Sequence, residues 1–111
     1  MERNDRINKL LEFYTATPND TFVIYALANE FVQIGDDNEA LKYYNMLLQN
    51  FPDYVATYYH LGKLYARREL KDEALAIYKT GIEKAKLAKD SHSLAELQTA
   101  YTNLDLGLDD E

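Results

Sequence analysis

Side chains that enzymes use for proton transfer or metal binding are scarce in this sequence. Its two histidines, His60 and His92, are far apart, and the residues around neither follow the spacing of a metal site. Ser91 and Ser93 flank His92, but serines at a predicted helix start are better explained as caps. The chain has no cysteine and no glycine-rich phosphate-binding loop. We therefore expect no catalytic residue, no metal and no cofactor.

Side chains suited to binding are more frequent. In two places a tyrosine is followed four residues later by an amide or a cation. Tyr25 and Asn29 form one such pair and Tyr59 and Lys63 another, so that each pair would lie on one face of a helix. Tyrosine offers a large contact area at a small cost in rotamer entropy, and a lysine can pair with a carboxylate. These pairs favour a protein or peptide partner that carries acidic groups.

The alternative is that the tyrosines only fill gaps between helices, with their hydroxyl groups at the surface. The sequence contains 10 tyrosines, and we expect this structural role for Tyr44, Tyr65 and Tyr78. For Tyr25 and Tyr59 the sequence leaves both interpretations open.

Net charge limits the class of partner. The chain carries −7 at pH 7, which disfavours nucleic acid, since nucleic-acid binding depends on Lys and Arg that neutralise phosphates. The charge is uneven: residues 1–55 hold nine acids and four bases, residues 56–89 four acids and eight bases, and residues 90–111 six acids and no base. No apolar run is long enough for a membrane span, and the first residues lack the apolar core of a secretion signal. We expect a soluble cytoplasmic protein with no nucleic-acid and no membrane partner.

The elements that must position these residues are predicted to be helices. Glycine and proline are scarce, at 4 and 2 residues, and long stretches are rich in Ala, Leu, Glu and Lys, which indicates an all-α fold. The sequence also resembles itself at a shift of 34 residues. The matched pairs are Pro18 with Pro52, Leu27 with Leu61, Ala28 with Gly62, Phe31 with Tyr65, Ala40 with Ala74, Leu41 with Leu75 and Tyr44 with Tyr78. Two copies of one structural unit are therefore predicted.

Each copy divides into two predicted helices separated by a turn. In the first copy this turn is Gly35-Asp36-Asp37, where glycine can take the left-handed conformation that ends a helix and an aspartate can cap the next one. Glu69 stands at the position of Gly35 in the second copy. The left-handed conformation would destabilise the fold by roughly 1 kcal/mol at this glutamate, so this turn could take another shape. The last helix of the second copy has no closing proline and is predicted to run to about Lys89.

A repeat of 34 residues built from two helices resembles the tetratricopeptide repeat. The residues that carry the resemblance are Tyr58-x-x-Leu61-Gly62-x-x-Tyr65, Ala74, Tyr78 and Pro52. The sequence departs from the family pattern at Ile24 and Tyr58, where the family has Trp, at Leu47, where it has a small residue, and at Lys86, where it has Pro. The resemblance implies a right-handed α-solenoid of antiparallel helix pairs, with about five helices.

We predict a single domain over residues 1–111. Its parts are an N-terminal helix at 4–16, a first repeat at 18–51, a second repeat at 52–89, a C-terminal capping helix at 90–107 and a tail at 108–111. Ser93 and Glu96 predict a capping box at the start of the last helix. The flanking helices are expected to close the ends of the stack, since two repeats alone rarely bury enough surface.

Members of this family bind ligands in a concave groove lined by the first helix of each repeat, so the resemblance implies a non-catalytic adaptor. The residues implied to line the groove are Phe22, Tyr25, Asn29, Gln33, Tyr59, His60, Lys63 and Arg67. Some members bind acidic chaperone tails through a clamp of Lys, Asn, Asn, Lys and Arg. The corresponding positions here are Tyr25, Asn29, His60, Asp90 and Leu94, of which only Asn29 matches, so we expect no binding of chaperone tails.

The rival function is self-association through the last helix. An apolar stripe follows that helix at Leu94, Leu97, Tyr101, Leu104 and Leu108. Two copies could pair through Leu97, Tyr101 and Leu104 to form a homodimer. We favour packing of the stripe on the second repeat of its own chain, because an apolar edge would otherwise be exposed there. The residues of that edge are Leu75, Tyr78, Ile82 and Ala85.

Most of the basic residues of the second repeat are expected to form a solvated face rather than a ligand site. These residues are Lys79, Lys84, Lys86 and Lys89. Arg68 and Lys71 lie by the turn and could meet the acidic tail, Asp109-Asp110-Glu111, within the same chain.

Overall fold

The computed structural model describes residues 3–108, and the side chains of residues 4–108. These residues form six helices and no strand, which confirms the all-α prediction. The helices are α1 (Arg3–Ala16), α2 (Thr21–Gln33), α3 (Asp37–Asn50), α4 (Ala56–Arg67), α5 (Lys71–Ala88) and α6 (Ser91–Asp105). This is one helix more than the five or so expected, and it equals the sum of the predicted parts, two helix pairs and two flanking helices.

The chain divides into two compact units, one that ends at Tyr54 and one that begins at Val55. Unit 1 contains α1, α2 and α3, and unit 2 contains α4, α5 and α6. In unit 1, α2 packs against both α1 and α3, whereas in unit 2 each helix packs against the other two. Each unit therefore holds one predicted helix pair and one flanking helix.

Aspartate caps determine where the helices of unit 1 begin. Asp20 precedes α2, and its Oδ1 accepts hydrogen bonds from the amides of Phe22 at 3.0 Å and Val23 at 3.3 Å. Asp36 precedes α3, and its Oδ1 accepts one from the amide of Glu39 at 3.2 Å. These bonds satisfy amides that have no partner within the helix. Of the two aspartates predicted as caps, Asp36 is the one that acts.

Tyrosines occupy the interior of unit 1. Tyr44 is 1% exposed, so it fills the interior as predicted, but the prediction that its hydroxyl group lies at the surface is wrong. That group donates a hydrogen bond to Oδ1 of Asn29. Tyr43 is also buried, although no predicted stripe contained it. Its ring stacks on Phe31 at 5.8 Å between centroids and meets the edge of Tyr14 at 5.7 Å. Helix α3 therefore buries two neighbouring tyrosines, one more than its apolar period predicts.

Two glycines allow the helices of unit 2 to approach closely. A Cβ at Gly62 would lie 2.3 Å from Cε1 of Tyr78, which is itself 1% exposed. A Cβ at Gly81 would lie 2.5 Å from Cβ of Tyr58 and 3.2 Å from Cδ1 of Leu97. The distances to Tyr78 and to Tyr58 are both shorter than van der Waals contact. Any larger residue at Gly62 or Gly81 would therefore force the helices apart.

The turns within the two helix pairs have the same shape, which corrects the suggestion that Glu69 gives its turn another one. Gly35 has φ +83 and Glu69 has φ +63, so both are left-handed. The amide of Asp36 donates to the carbonyl of Phe31 at 2.9 Å, and the amide of Leu70 donates to that of Tyr65 at 2.9 Å. These bonds satisfy carbonyls at the helix end in the same way in both turns. Glu69 therefore takes the left-handed conformation despite its strain, because the hydrogen bonds of the turn require it.

Helix α6 begins differently from the prediction. The cap is Asp90, whose Oδ1 accepts from the amide of Ser93 at 3.0 Å and whose Oδ2 accepts from Oγ of Ser93 at 2.8 Å. The predicted capping box of Ser93 and Glu96 is therefore wrong, and Ser91 and Ser93 lie inside the helix. These bonds hold the pKa of the Asp90 carboxyl below its usual value, because they stabilise its charged form.

The apolar stripe of α6 is only partly buried. Leu97 is 1% exposed, and it lies beside Gly81 of α5, as expected for packing within the chain. Leu94, Tyr101 and Leu104 are half-buried. Leu108 lies beyond the end of the helix and is 65% exposed, so it does not belong to the stripe.

The ends of α5 lie close to their predicted positions. The helix runs to Ala88, with left-handed Lys89 as its C-cap. At its other end, Nζ of Lys71 donates to the carbonyl of Asp105 at 3.5 Å, which joins α5 to the end of α6. The tail Asp109-Asp110-Glu111, predicted as the alternative partner of Lys71 and Arg68, lies outside the described residues.

Candidate functional site

The residues predicted to bind a ligand lie on the first helix of each pair, on two faces. We define the α2 face by Phe22, Tyr25, Asn29 and Gln33, and the α4 face by Tyr59, His60, Lys63 and Arg67. None of these eight side chains is fully buried, so each retains accessible surface. The α2 face belongs to unit 1 and the α4 face to unit 2.

Three aromatic rings are in contact at the N-terminal end of the α2 face. The ring of Phe22 is 6.4 Å from that of Tyr25, at an interplanar angle of 47°. Tyr25 in turn meets the edge of Tyr54 at 5.7 Å and 68°. Phe22 is 63% exposed, whereas the two tyrosines are half-buried. We call these three residues the aromatic cluster.

Tyr54 is a member of this cluster that the sequence analysis missed. It lies in the connection after α3, where no helical period could assign it to a face. Burial raises the pKa of its hydroxyl group, and the nearby Tyr25 and Asp20 raise it further. The effect of Asp20 places that carboxylate within electrostatic reach of the cluster.

The two remaining residues of the α2 face differ in how much of their side chains a ligand could reach. Asn29 is half-buried, and its Oδ1 accepts the hydrogen bond of buried Tyr44. Gln33 is exposed at the last position of α2. Asn29 therefore supports the core of unit 1, in addition to any role in binding, and this residue is the single match to the chaperone clamp.

The α4 face combines an aromatic ring, an imidazole and a cation. Nζ of Lys63 lies 5.9 Å from the centroid of the Tyr59 ring, within the range of a cation–π interaction. The ring of His60 meets the ring of Tyr59 edge-on at 5.5 Å. Arg67 is exposed in the last turn of the helix. This face presents positive charge beside aromatic surface.

The electrostatic surroundings of His60 include a second helix. Burial lowers the pKa of its imidazole, Glu96 of α6 opposes that shift, and Lys63 adds to it. Glu96 is therefore close to the α4 face, a position that the sequence analysis did not predict because it assigned this residue to a helix cap. A carboxylate and an ammonium group thus act on one half-buried histidine.

Residues 3–108 contain neither a cluster of metal-binding side chains nor a membrane-spanning helix. No group of three or more His, Cys, Asp or Glu side chains in this part of the chain is placed to hold a metal ion. None of its helices is both long enough and apolar enough to cross a membrane.

Comparisons with known proteins identify the fold family. No family model matches the sequence, and no curated protein matches it. Several solved structures do match it, among them two from one organism. A solution NMR structure of a tetratricopeptide repeat domain protein from Salinibacter ruber is 41% identical, with a TM-score of 0.78 over 85% of this chain and 94% of that one. A crystal structure of a tetratricopeptide repeat domain protein from the same organism is 42% identical, with a TM-score of 0.75 over 82% of this chain and 100% of that one. At this identity and coverage, the chain belongs to the tetratricopeptide repeat family, as its 34-residue period and its motif residues predicted.

Proposed function

We propose that this chain is a non-catalytic adaptor that binds a segment of a partner protein on its α2 and α4 faces. Tetratricopeptide folds are in general protein-interaction modules. The observation that carries the finer proposal is the pairing of Lys63 with the ring of Tyr59 at 5.9 Å. This pair leaves both a cation and an aromatic ring outside the core of unit 2, where a partner can reach them.

Residue chemistry supports a carboxylate as the group bound by the α4 face. Lys63 and Arg67 are one helical turn apart, so a carboxylate between them can pair with both. Because such pairs at an accessible surface are screened by salt, binding of an acidic segment should weaken as ionic strength rises. Tyr59 would contribute contact area that salt does not screen.

A capture experiment tests this function. The immobilised protein and a variant with Tyr25→Ala, Tyr59→Ala and Lys63→Glu are each exposed to extract of the source cell, and the retained proteins are compared. We expect the native chain to retain a partner that the variant loses, since the variant removes ring area and reverses one charge. Circular dichroism must first show equal helical content in the two proteins.

A matched control carries the same kind of charge reversal elsewhere. Lys79 and Lys86 are exposed on α5, so Lys79→Glu with Lys86→Glu changes charge without touching either face. This control should retain the partner. Equal retention by all three proteins would refute the assignment of binding to the α2 and α4 faces.

Self-association through α6 remains the second candidate. Tyr101 and Leu104 are half-buried and can contact another copy, whereas Leu97, the third residue predicted for such an interface, is 1% exposed and offers almost no surface. The mass in solution at high concentration decides between the candidates. A dimer that Leu104→Glu converts to a folded monomer would support self-association, and a monomer at all concentrations would exclude it.

A further inference from the structure

A titratable group lies inside the proposed binding surface of unit 2. The α4 face contains His60, and histidine is the side chain whose charge changes near neutral pH. We infer that protonated His60 acts with Lys63 and Arg67 as a third cation, so that the α4 face binds an acidic segment more tightly in mildly acidic solution than at neutral pH. The inference rests on the proposed function and describes how the same site is regulated.

The ring of Tyr59 brings the imidazole and the ammonium group together. The ring of His60 meets it edge-on at 5.5 Å between centroids, and Nζ of Lys63 lies 5.9 Å from its centroid. His60, Lys63 and Arg67 also follow one another at the spacing of successive helical turns, which places them along one side of α4. A carboxylate bound beside Lys63 therefore lies near the imidazole as well.

The helices packed against α4 leave His60 half-buried rather than enclosed. Helix α5 packs on the side of α4 that carries Tyr58 and Gly62, and residue 60 lies on the opposite side of the helix from both. Helix α6 brings Glu96, an exposed residue whose carboxylate acts on the imidazole. The charged groups that act on His60 thus include Lys63 of its own helix and Glu96 of α6, with opposite signs.

The direction of the effect follows from these charges. Burial lowers the pKa of His60 below its ordinary value of 6.5, Glu96 opposes this shift and Lys63 adds to it, so the imidazole is mostly neutral at neutral pH. A carboxylate of the ligand would favour the charged form, as Glu96 does, and would raise this pKa. Because binding and proton uptake are linked, a proton on His60 must strengthen binding of the carboxylate by the same factor.

A peptide whose own charge does not change with pH tests the inference. The probe is acetyl-Gly-Ser-cysteate-cysteate-Ser-Gly-amide, in which the sulfonate groups of cysteic acid stay ionised throughout. It is titrated into the ¹⁵N-labelled full chain at about pH 7.5 and about pH 5.5, on either side of the ordinary histidine pKa and at one ionic strength. Amide chemical shifts give the dissociation constant. We expect shifts at the amides of Tyr59, His60 and Lys63, and binding about threefold tighter in acid.

Substitutions separate His60 from the overall charge of the chain. His60→Gln should abolish the gain in acid, whereas His92→Gln, which removes an exposed histidine from α6, should keep it. Each variant loses one ionisable imidazole, so the net charge changes equally in both. His60→Arg carries a permanent cation and should bind at neutral pH about as tightly as the native chain binds in acid. Circular dichroism at both pH values must show that each variant is folded.

Several outcomes would overturn the inference. These are equal binding at the two pH values, weaker binding in acid, no binding at either pH, or the same gain in His60→Gln as in the native chain. The capture experiment, repeated at both pH values, separates this failure from failure of the adaptor proposal. A partner that the native chain retains equally well at both, and that the triple variant loses, would leave the adaptor function intact and refute the role of His60.

Discussion

The two helix pairs fill equivalent positions of their cores with different side chains. Unit 1 has Ile24 and Leu47 where unit 2, 34 residues later, has Tyr58 and Gly81. The three large residues of this set are each at most 2% exposed. A branched side chain and a leucine in one unit are thus replaced by a tyrosine and a glycine in the other. In unit 2 a large aromatic residue on the first helix thus meets a glycine on the second, where unit 1 has two aliphatic residues of similar size.

The equivalent tyrosines of the two units, Tyr44 and Tyr78, lie beneath different residues of the first helix. Tyr44 and Tyr78 are both 1% exposed. In unit 1 the hydroxyl group of Tyr44 is bound by Asn29. The equivalent of Asn29 in unit 2 is Lys63, whose ammonium group lies over the Tyr59 ring instead. One substitution on the first helix therefore changes the chemistry of the exposed face without changing the tyrosine beneath it.

The close approach of Gly81 to Tyr58 predicts the largest effect. Gly81→Ala should reduce the free energy of unfolding by about 3 kcal/mol, because the new methyl group would lie 2.5 Å from Cβ of Tyr58, an atom fixed to the backbone of α4. Chemical denaturation measures the change.

Transplanting the pair from unit 1 sharpens this test. Gly81→Leu should prevent close packing of α4 and α5, and combining it with Tyr58→Ile should recover little of the lost stability, because isoleucine keeps the Cβ that the new side chain would meet. The difference between the double variant and the sum of the single variants gives the coupling energy. A large coupling energy that favours the double variant would show instead that the ring of Tyr58, and not its Cβ, determines how closely the helices approach.

The buried tyrosine of unit 1 predicts a smaller effect that depends on pH. Tyr44→Phe removes the hydrogen bond to Asn29 and should cost about 1 kcal/mol near neutral pH. Burial raises the pKa of Tyr44 above its ordinary value of 10.0, since the charged form is poorly solvated there, and Tyr25 adds to the shift. The proton is therefore held more tightly in the folded state than in the unfolded state. The resulting stability is complete below the ordinary value and declines as pH rises above it.

Denaturation at neutral pH and again above the ordinary tyrosine pKa measures this dependence. The native chain should lose more stability than Tyr44→Phe between the two conditions, because the variant lacks the titrating group. The same loss in both proteins would mean that Tyr44 does not contribute to the alkaline transition.

The periodic spacing of apolar residues predicted the buried face of each helix considered on its own. The 34-residue shift matched small residues with small ones and large with large, such as Ala28 with Gly62 and Tyr44 with Tyr78. The contact of Gly62 with Tyr78 was not predicted, because the alignment compares the two copies and does not say which residues touch. Tyr43 was missed because one apolar period describes one buried face, whereas α3 also meets Tyr14 of the flanking helix α1. Tyr54 was missed because a residue in a connection has no period at all.

The predictions were wrong at helix ends because several neighbouring residues can fill the same role there. Three residues, Asp90, Ser91 and Ser93, could cap α6, and sequence alone does not rank them. The aspartate is selected because its two oxygens bind both the amide and the hydroxyl group of Ser93. At Glu69, propensity argued against a left-handed residue, but two hydrogen bonds of the turn require it.

The two equivalent turns predict effects of opposite sign. Glu69→Gly should stabilise the chain by about 0.5–1 kcal/mol, because glycine adopts the left-handed conformation without a clash. Gly35→Ala should destabilise it by about 1 kcal/mol for the same reason, although a Cβ there meets no other atom. Thermal denaturation of both variants provides the measurement. No stabilisation by Glu69→Gly together with no destabilisation by Gly35→Ala would show that the left-handed conformation carries no strain.

The smallest predicted effect concerns the only titratable imidazole on either face. Unit 1 has Ala26 at the position of His60, so only the α4 face should titrate near neutral pH. Burial and Lys63 lower the pKa of His60, and Glu96 opposes them. Lys63→Met should therefore raise this pKa and Glu96→Gln should lower it, as followed by NMR titration of the imidazole.

The depressed pKa of His60 also sets the sign of its effect on stability. The unfolded chain takes up this proton more readily, so the stability contributed by neutral His60 is present above the ordinary value of 6.5 and is lost as pH falls toward the folded value. Shifts of the pKa in the same direction for both variants would contradict the placement of Lys63 and Glu96 as opposing charges. An unchanged pKa in Lys63→Met would mean that the lysine acts on Tyr59 alone, and that ring and cation form a unit independent of the histidine.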